Sequence, residues 1–330
     1  MKIGTIGSNF IVDAFFYCSE KIEGVEVKAI YSRTEERARE FAASHNVEKY
    51  YWDLEQFLSD DALDFIYVAS PNDLHFYYSY EAMMHGKNVI CEKPFVPTYA
   101  EAQKLYALAE EKGLYIFEAI TVPYYPNFSM IRNNLERLGQ IRLVQANFSQ
   151  YSSRYDQLLE GKIANVFDPA HAGGALADIN IYNLHFVMRL FGIPQEAHYF
   201  ANRHENGIDL SGILILKYPG FLCELCGAKD SASRPIVQIQ GEKGYITVNS
   251  QSSVLHDFEV VIPKEKSIER YNDQKEIHGI YYELLEFKNI YELQDHAGCM
   301  EKLRYSLDVV KVLEKVRKDA GIYYADEKTA

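Results

Sequence analysis

Residues 2–12 read Lys-Ile-Gly-Thr-Ile-Gly7-Ser8-Asn9-Phe10-Ile11-Val12, a short apolar run that stops at a glycine and opens into helical periodicity. A glycine at the end of a first strand lets the chain turn tightly into a helix whose N-terminal N–H groups face a pyrophosphate. Gly7 fills that place. The dinucleotide fingerprint asks for a second Gly two residues on and a small residue three later, where this chain has Asn9 and Val12. Asn tolerates left-handed backbone better than most residues. A Gly7-Ser8-Asn9 turn with the Asn9 side chain near the phosphates is therefore buildable, the alternative being an ordinary strand-to-helix turn.

Outward from this stretch, short apolar runs alternate with helical periods through the first 120 residues, the pattern of βαβ units and a parallel sheet. Lys2–Ile6, Val25–Tyr31, Phe65–Ala69, Asn88–Cys91 and Leu114–Phe117 read as strands. Phe65–Ala69 is a continuous apolar run suited to a strand buried on both faces. Helices are expected over residues 11–22, from Thr34 as N-cap, over 74–85 ending at Gly86, and over 98–112 ending at Gly113. This half is a doubly wound Rossmann domain, 1–120, with ligands expected beyond the C-terminal strand ends.

After Pro126 the pattern changes. Helices are expected near 128–138 and 174–190, and most of 196–261 alternates as antiparallel strands, with two amphipathic helices, 281–293 and 298–320, closing the chain. The expectation is an α+β domain, 121–330, with a large and mostly antiparallel open sheet.

The charge balance, 34 basic against 47 acidic residues for a net −13, repels phosphate backbones and anionic lipid, so neither nucleic acid nor membrane is an expected partner. A dinucleotide is not excluded, because backbone N–H groups rather than net charge hold its pyrophosphate. Five scattered cysteines suit a reducing compartment, and Cys223 and Cys226, three apart on a strand, point to opposite faces. No apolar run approaches the roughly 18 residues of a membrane span, and the N-terminus lacks the pattern of a signal peptide. A cytoplasmic protein is expected. No His, Cys and carboxylate set has ligand spacing, so no metal is expected.

Three places can carry chemistry. At the end of the second strand an NAD-selective site usually has Asp or Glu, whereas Ser32-Arg33-Thr34 stands here. Two hydroxyls and a guanidinium suit a ribose 2′-phosphate; a helix cap followed by a surface Arg is the plainer reading. Glu92-Lys93-Pro94 directly follows a buried strand, which brings Lys93 out where a nicotinamide would lie, able to orient a substrate oxygen. Asp178, Tyr182 and His185, spaced i, i+4, i+7 on one helix, share a polar stripe. Asp178 can accept from a substrate hydroxyl or hold a neighbouring cation. Tyr182 can exchange a proton with a substrate oxygen, and its pKa of about 10 would fall beside an ammonium. For His185 a satisfied core histidine is the competing reading.

Several of these stretches together resemble the glucose-fructose oxidoreductase, inositol dehydrogenase and rhizopine catabolism family, Gfo/Idh/MocA, over nearly the whole chain. They are Ser70-Pro71-Asn72 with His75, Gly86 to Glu92-Lys93-Pro94, Glu118-Ala119, Gly173-Gly174-Ala-Leu-Ala-Asp178 with Tyr182 and His185, and Ile239 to Gly244. The resemblance implies a Rossmann domain followed by an α+β domain whose open sheet mediates homodimers or homotetramers. It implies cofactor contacts from Gly7, Ser8, Asn9, Phe10, Ile11, Ser32, Arg33, Thr34, Ser70, Pro71, Asn72, His75, Glu92 and Lys93, and a pocket including Glu118, Tyr124 and His185. Many members have His where this chain has Tyr182. Tyrosine there resembles the branch of glucose-fructose oxidoreductase and dimeric dihydrodiol dehydrogenase and favours NADP over NAD. The implied roles are Tyr182 as proton donor and acceptor, Lys93 as its electrostatic partner and Asp178 as the substrate-orienting carboxylate, with a sugar, cyclitol or diol as substrate class. Two departures stand out: the missing second glycine of the loop, and Pro123 and Tyr125 where many members carry Arg and His. A dinucleotide-sensing regulator without turnover, and an enzyme that retains its NADP through a ping-pong cycle, are the alternatives on the same scaffold.

Overall fold

In the computed structural model, which describes residues 1–276 and 278–327, the chain divides into two units, Met1–Ile120 with Ile280–Val310, and Thr121–Gly279 with Lys311–Ala330. The return of residues 280–310 to the first unit is additional to the expected division.

The first unit is built on a six-stranded parallel sheet. In chain order it runs β1 (Lys2–Ile6), α1 (Phe10–Ser19), β2 (Glu26–Tyr31), α2 (Glu35–Ser44), β3 (Lys49–Tyr51), α3 (Leu54–Leu58), β4 (Phe65–Val68), α4 (His75–Met84), β5 (Asn88–Glu92), α5 (Tyr99–Lys112) and β6 (Ile116–Ala119). The strand order β3-β2-β1-β4-β5-β6 reverses direction between β1 and β4, and all its pairs are parallel. In such sheets the crevice beyond the carboxyl ends at the reversal is where ligands bind. Every residue of β4 and β5 is buried, as continuous apolar runs between two helical layers require. On one face Phe57, Met83, Phe95 and Leu105 pack with Leu303, Leu307 and Val310. Helix α9 (Gly279–Glu292) stacks Phe287 on Phe117 at 4.4 Å. Phe287 is fully buried, so truncation to Ala there would cost about 3–5 kcal/mol. β3 and α3 went unmarked in the sequence because three and five residues are too short to display a period.

The second unit carries α6 (Pro126–Asn134), β7 (Ile141–Ser149), α7 (Tyr155–Leu159), α8 (Ile181–Phe191), β8 (Glu196–Arg203), β9 (Asp209–Tyr218), β10 (Phe221–Ala228), β11 (Ile236–Gly241), β12 (Tyr245–Val248), β13 (Phe258–Ile262) and β14 (Ser267–Tyr271). Its eight strands run β14-β13-β12-β11-β7-β10-β9-β8, antiparallel except for the β7–β10 pair. Alternate side chains divide the sheet's faces. Val144, Ala146, Leu214, Leu216, Cys223 and Leu225 are buried, while Phe200, Ile213, Leu222 and Ile268 are exposed. Cys223 and Cys226 fall on opposite faces, and all five cysteines are free. The last helix, α10, spans His296–Asp319. Among the described residues no helix is long and apolar enough to cross a membrane.

Candidate active site

The turn after β1 takes the form glycine allows. Gly7 sits at φ +120°, and a Cβ there would lie 2.5 Å from the Ala69 carbonyl oxygen, so neither the conformation nor the space admits a side chain. Asn9 departs from expectation. Its φ is −119°, extended rather than left-handed, and it is the N-cap of α1, its side-chain oxygen accepting from Ile11 N at 3.0 Å and its amide donating to Ala69 O at 3.0 Å. The physical reason is that an uncapped helix N-terminus leaves orphan N–H groups, and Asn satisfies one of them for about 1 kcal/mol. Gly7 alone absorbs the tight turn, so a second glycine is not needed.

The crevice at the sheet reversal is a cavity of about 360 Å³ lined by Gly7, Ser8, Asn9, Ser32, Arg33 and Thr34, with Ser70 and Pro71 on its other side. Tyr31, Leu74, Tyr78 and Arg37 line it too, and the sequence did not mark them. Arg37 Nε donates to Ser8 Oγ at 2.9 Å and its Nη2 to the Ser8 carbonyl at 2.7 Å, tying the start of α2 to the glycine turn. Thr34 spends its hydroxyl as the N-cap of α2. Arg33 is exposed. Phe10, 72% exposed, stands on the first turn of α1 beside Ile11. A glycine cradle that a Cβ would fill, a capped helix N-terminus and a guanidinium at the end of β2 together fit a dinucleotide phosphate-first.

At the ends of β4 and β5 several expected residues are turned inward. His75 is buried, its Nδ1 and Nε2 lying 2.9 and 3.1 Å from the carbonyl oxygens of Pro94 and Ser70. Burial lowers its pKa, and a neutral ring donates to one carbonyl at a time. The imidazole therefore ties two loops together. Glu92 is buried and accepts from the Tyr67 hydroxyl at 2.5 Å, with burial raising the pKa of both groups. Glu118 accepts from Phe95 N at 3.1 Å. Close by, burial first, and then Glu92 and Glu118, push the Glu283 carboxyl well above the carboxylate range. Lys93 follows β5, half-buried, and its bond to Pro94 is cis.

In the second unit, Asp178 and Tyr182 do not lie on one regular helix. Leu176–Asn180 forms a turn of π-helix that leads into α8, a wide turn often found at functional sites. Asn180 Nδ2 donates to the Leu225 carbonyl at 3.0 Å and Asn183 Nδ2 to that of Cys226 at 3.0 Å, fastening the helix to β10. Buried Asp209 accepts from Leu176 N at 2.6 Å and from the Tyr199 hydroxyl at 2.8 Å, holding the start of the turn. Between Ala172 and Met188, only Asp178 and Tyr182 escape burial. The expected stripe of three is thus a pair: His185 has no exposed surface and belongs to the core, because the helix is enclosed on nearly every side. The Tyr182 ring lies 6.0 Å from that of Phe148. The Asp178 carboxylate is paired with the ammonium of Lys229, a residue the sequence did not mark. Tyr124 is half-buried in the short turn Val122–Tyr124.

Residues 1–119 match the oxidoreductase family with an NAD-binding Rossmann fold, and residues 132–247 match the GFO/IDH/MocA C-terminal domain. The chain belongs to the GFO/IDH/MocA oxidoreductase family. It is 33% identical to the scyllo-inositol 2-dehydrogenase (NADP(+)) of Bacillus subtilis (strain 168), covering 98% of each chain. It is 29% identical to the trans-1,2-dihydrobenzene-1,2-diol dehydrogenase of Sus scrofa, over 92% of this chain and 91% of that one. Among solved structures it superposes on a levoglucosan dehydrogenase in complex with NADH and levoglucosan with TM-score 0.82 at 16% identity, covering 97% of each. On a 3-ketoreductase from Actinomadura kijaniata in complex with NADP and TDP-benzene the TM-score is 0.81 at 22% identity, covering 96% of this chain and 97% of that one. These two likenesses speak for the fold. The family membership makes this chain an oxidoreductase with a nicotinamide dinucleotide domain, and the expected Rossmann and α+β architecture is the one observed.

Proposed function

We propose that the chain is an NADP-linked dehydrogenase or reductase acting on a carbinol or ketone of a small sugar, cyclitol or diol. The observation that carries the proposal is the pair Asp178 and Tyr182, a carboxylate and a phenol that alone reach the surface of an otherwise buried helical stretch. A carboxylate accepts hydrogen bonds from substrate hydroxyls, and a phenol donates or takes a proton at a substrate oxygen. Lys93 is assigned the role of the cation that favours phenolate and so eases that proton transfer.

When bound, the dinucleotide supplies the hydride acceptor or donor. The backbone from Gly7 to Ile11, Phe10 included, is assigned its pyrophosphate, because the first N–H groups of α1 are a ready anion site. Ser32, Arg33 and Thr34 are assigned the ribose 2′-phosphate, and Ser70, Pro71 and Asn72 the opposite wall. His75 and Glu92 position those loops, while Glu118 and Tyr124 complete the substrate side. The two relatives named for polyol or diol dehydrogenation support this substrate class. A homodimer or homotetramer through the outer face of the eight-stranded sheet, where Phe200, Ile213 and Leu222 stand exposed, and a cytoplasmic location for a chain with five free thiols complete the proposal. Sedimentation velocity and cell fractionation test these two points.

The deciding experiment titrates NADPH and NADH by intrinsic fluorescence and then runs a sugar, cyclitol and diol panel on the wild type, Lys93→Ala and Tyr182→Phe. Both variants are expected to bind NADPH and to lose roughly 10²–10⁴ in turnover. NADPH binding with no turnover on any member of the panel refutes the proposal in favour of a dinucleotide sensor. Cofactor that co-purifies and exchanges only with substrate shows the retained form.

A further inference from the structure

We infer that Lys229 is a positioning residue of the active site, holding the Asp178 carboxylate ionised and aimed so that it meets an uncharged substrate hydroxyl. This inference rests on the function proposed above. Lys229 directly follows β10, and its backbone is clamped on both sides: its N–H donates to the Leu210 carbonyl at 2.8 Å and its carbonyl accepts from Ser152 N at 2.9 Å. A strand-end lysine ordinarily extends its ammonium into water. This one turns back, its side chain 10% exposed, to place Nζ on Oδ2 of Asp178, whose side chain is 30% exposed.

The meeting is built rather than incidental. The strand that Lys229 follows supplies, at Leu225 and Cys226, the carbonyls that fasten Asn180 and Asn183. Asn183 is secured a second time by the Ser252 hydroxyl at 2.6 Å. Between these points stands Gly227, where a Cβ would come within 2.7 Å of the Asn180 Cβ, so the helix lies directly on the strand. Asp178 and Lys229 are 51 residues apart in sequence, yet each sits on an element pinned to the other. The exposure difference sets the roles. A molecule arriving at this surface meets the carboxylate, with the ammonium behind it. An ammonium in that place favours the ionised acid and fixes its rotamer through a charge-assisted hydrogen bond. What the pair presents outward is a hydrogen-bond acceptor, which suits the O–H of a neutral polyol and disfavours a phosphate or carboxylate group at the same point.

The test compares Lys229→Met, Lys229→Arg, Asp178→Asn and the double variant Asp178→Asn/Lys229→Met, using steady-state kinetics with saturating NADP+ on the polyol best oxidised by the wild type. Lys229→Met is expected to raise KM at least about tenfold, the scale of a lost hydrogen bond to a charged group, with a smaller effect on kcat. Lys229→Arg should recover most of that loss, and in the Asp178→Asn background Lys229→Met should add nothing. NADPH affinity and melting temperature serve as folding controls. In parallel, ¹³Cγ-aspartate spectra, assigned by difference against Asp178→Asn, should show the Asp178 titration moving to higher pH on Lys229→Met. An unchanged Asp178 titration overturns the inference, as does an unchanged KM in Lys229→Met beside a raised KM in Asp178→Asn, or effects that multiply in the double variant. If no polyol is turned over, or Asp178→Asn leaves KM untouched, the functional proposal fails, and the aspartate titration still decides whether Lys229 governs Asp178.

Discussion

Replacing Arg33 by Ala should separate the two cofactors, and replacing Arg37 should not. Arg33 is exposed at the end of β2. At a contact of about 4 Å a unit charge pair is worth about 1 kcal/mol in water. A 2′-phosphate carrying nearly two charges thus loses about 2 kcal/mol when the guanidinium goes, roughly thirtyfold in Kd. NADH lacks that phosphate and should bind the variant almost as before. Arg37, by contrast, spends its guanidinium on Ser8, at 2.9 and 2.7 Å, and so shapes the turn that both cofactors share. Its loss should weaken NADPH and NADH by a similar factor, roughly tenfold, since hydrogen bonds from a charged donor carry about 1.5 kcal/mol. Fluorescence titrations of both cofactors at low and high salt are the assay, and the Arg33 penalty should shrink as salt screens the exposed pair. An Arg33→Ala variant that loses NADH as severely as NADPH, or a penalty indifferent to salt, would refute the 2′-phosphate assignment.

Two further outcomes concern the scaffold. Asp209→Ala should lower stability by roughly 2–4 kcal/mol, because it leaves the Leu176 N–H and the Tyr199 hydroxyl unsatisfied in a buried place; a calorimetric melting temperature equal to that of the wild type would contradict this. Near the C-terminus, burial of the Glu327 carboxyl works to raise its pKa, but two hydrogen bonds from Arg317, at 2.6 and 2.8 Å, outweigh it and hold the group at about 2. A lowered carboxyl pKa contributes stability above its ordinary value of 4.5 and loses it as pH falls toward about 2. The contribution is at most about 3 kcal/mol. Glu327→Gln should therefore be less stable at neutral pH and show a flatter acid limb in urea melts between about pH 5 and 2, and identical acid limbs would count against the pairing.

The first unit was legible where periods were long. Residues 65–69 and 88–91 are buried on both faces and read as such, whereas β3 rests on three residues and left no pattern. Gly7 was legible because a strand running into a helix needs a residue free of a Cβ, while the backbone of Asn9 is extended because its side chain caps α1. Arg37 was hidden since a basic residue on a helix ordinarily reads as solvated, although its place in the first turn after the end of β2 is the signal that finds it. Asp178 and Tyr182 were marked by their spacing, and His185 shared that spacing but not that surface, since the enclosure of α8 depends on residues far off in sequence. Lys229 had no local mark at all: its partner lies on another element, and only the packing of the wide turn and α8 on β10 brings the two together.

The five-residue turn at Leu176–Asn180 has a bearing on how this segment tolerates change. A loop absorbs a one-residue gain or loss with little effect, but a wide helical turn already carries its surplus residue. Deleting Ala177 removes that surplus and lets the turn close to 3.6 residues with its flanks kept in phase. One further residue inserted there has no such outlet: it would swing what precedes it by about 100° about the axis and pull the Leu176 N–H away from Asp209. The segment should therefore survive the loss of a residue better than the gain of one.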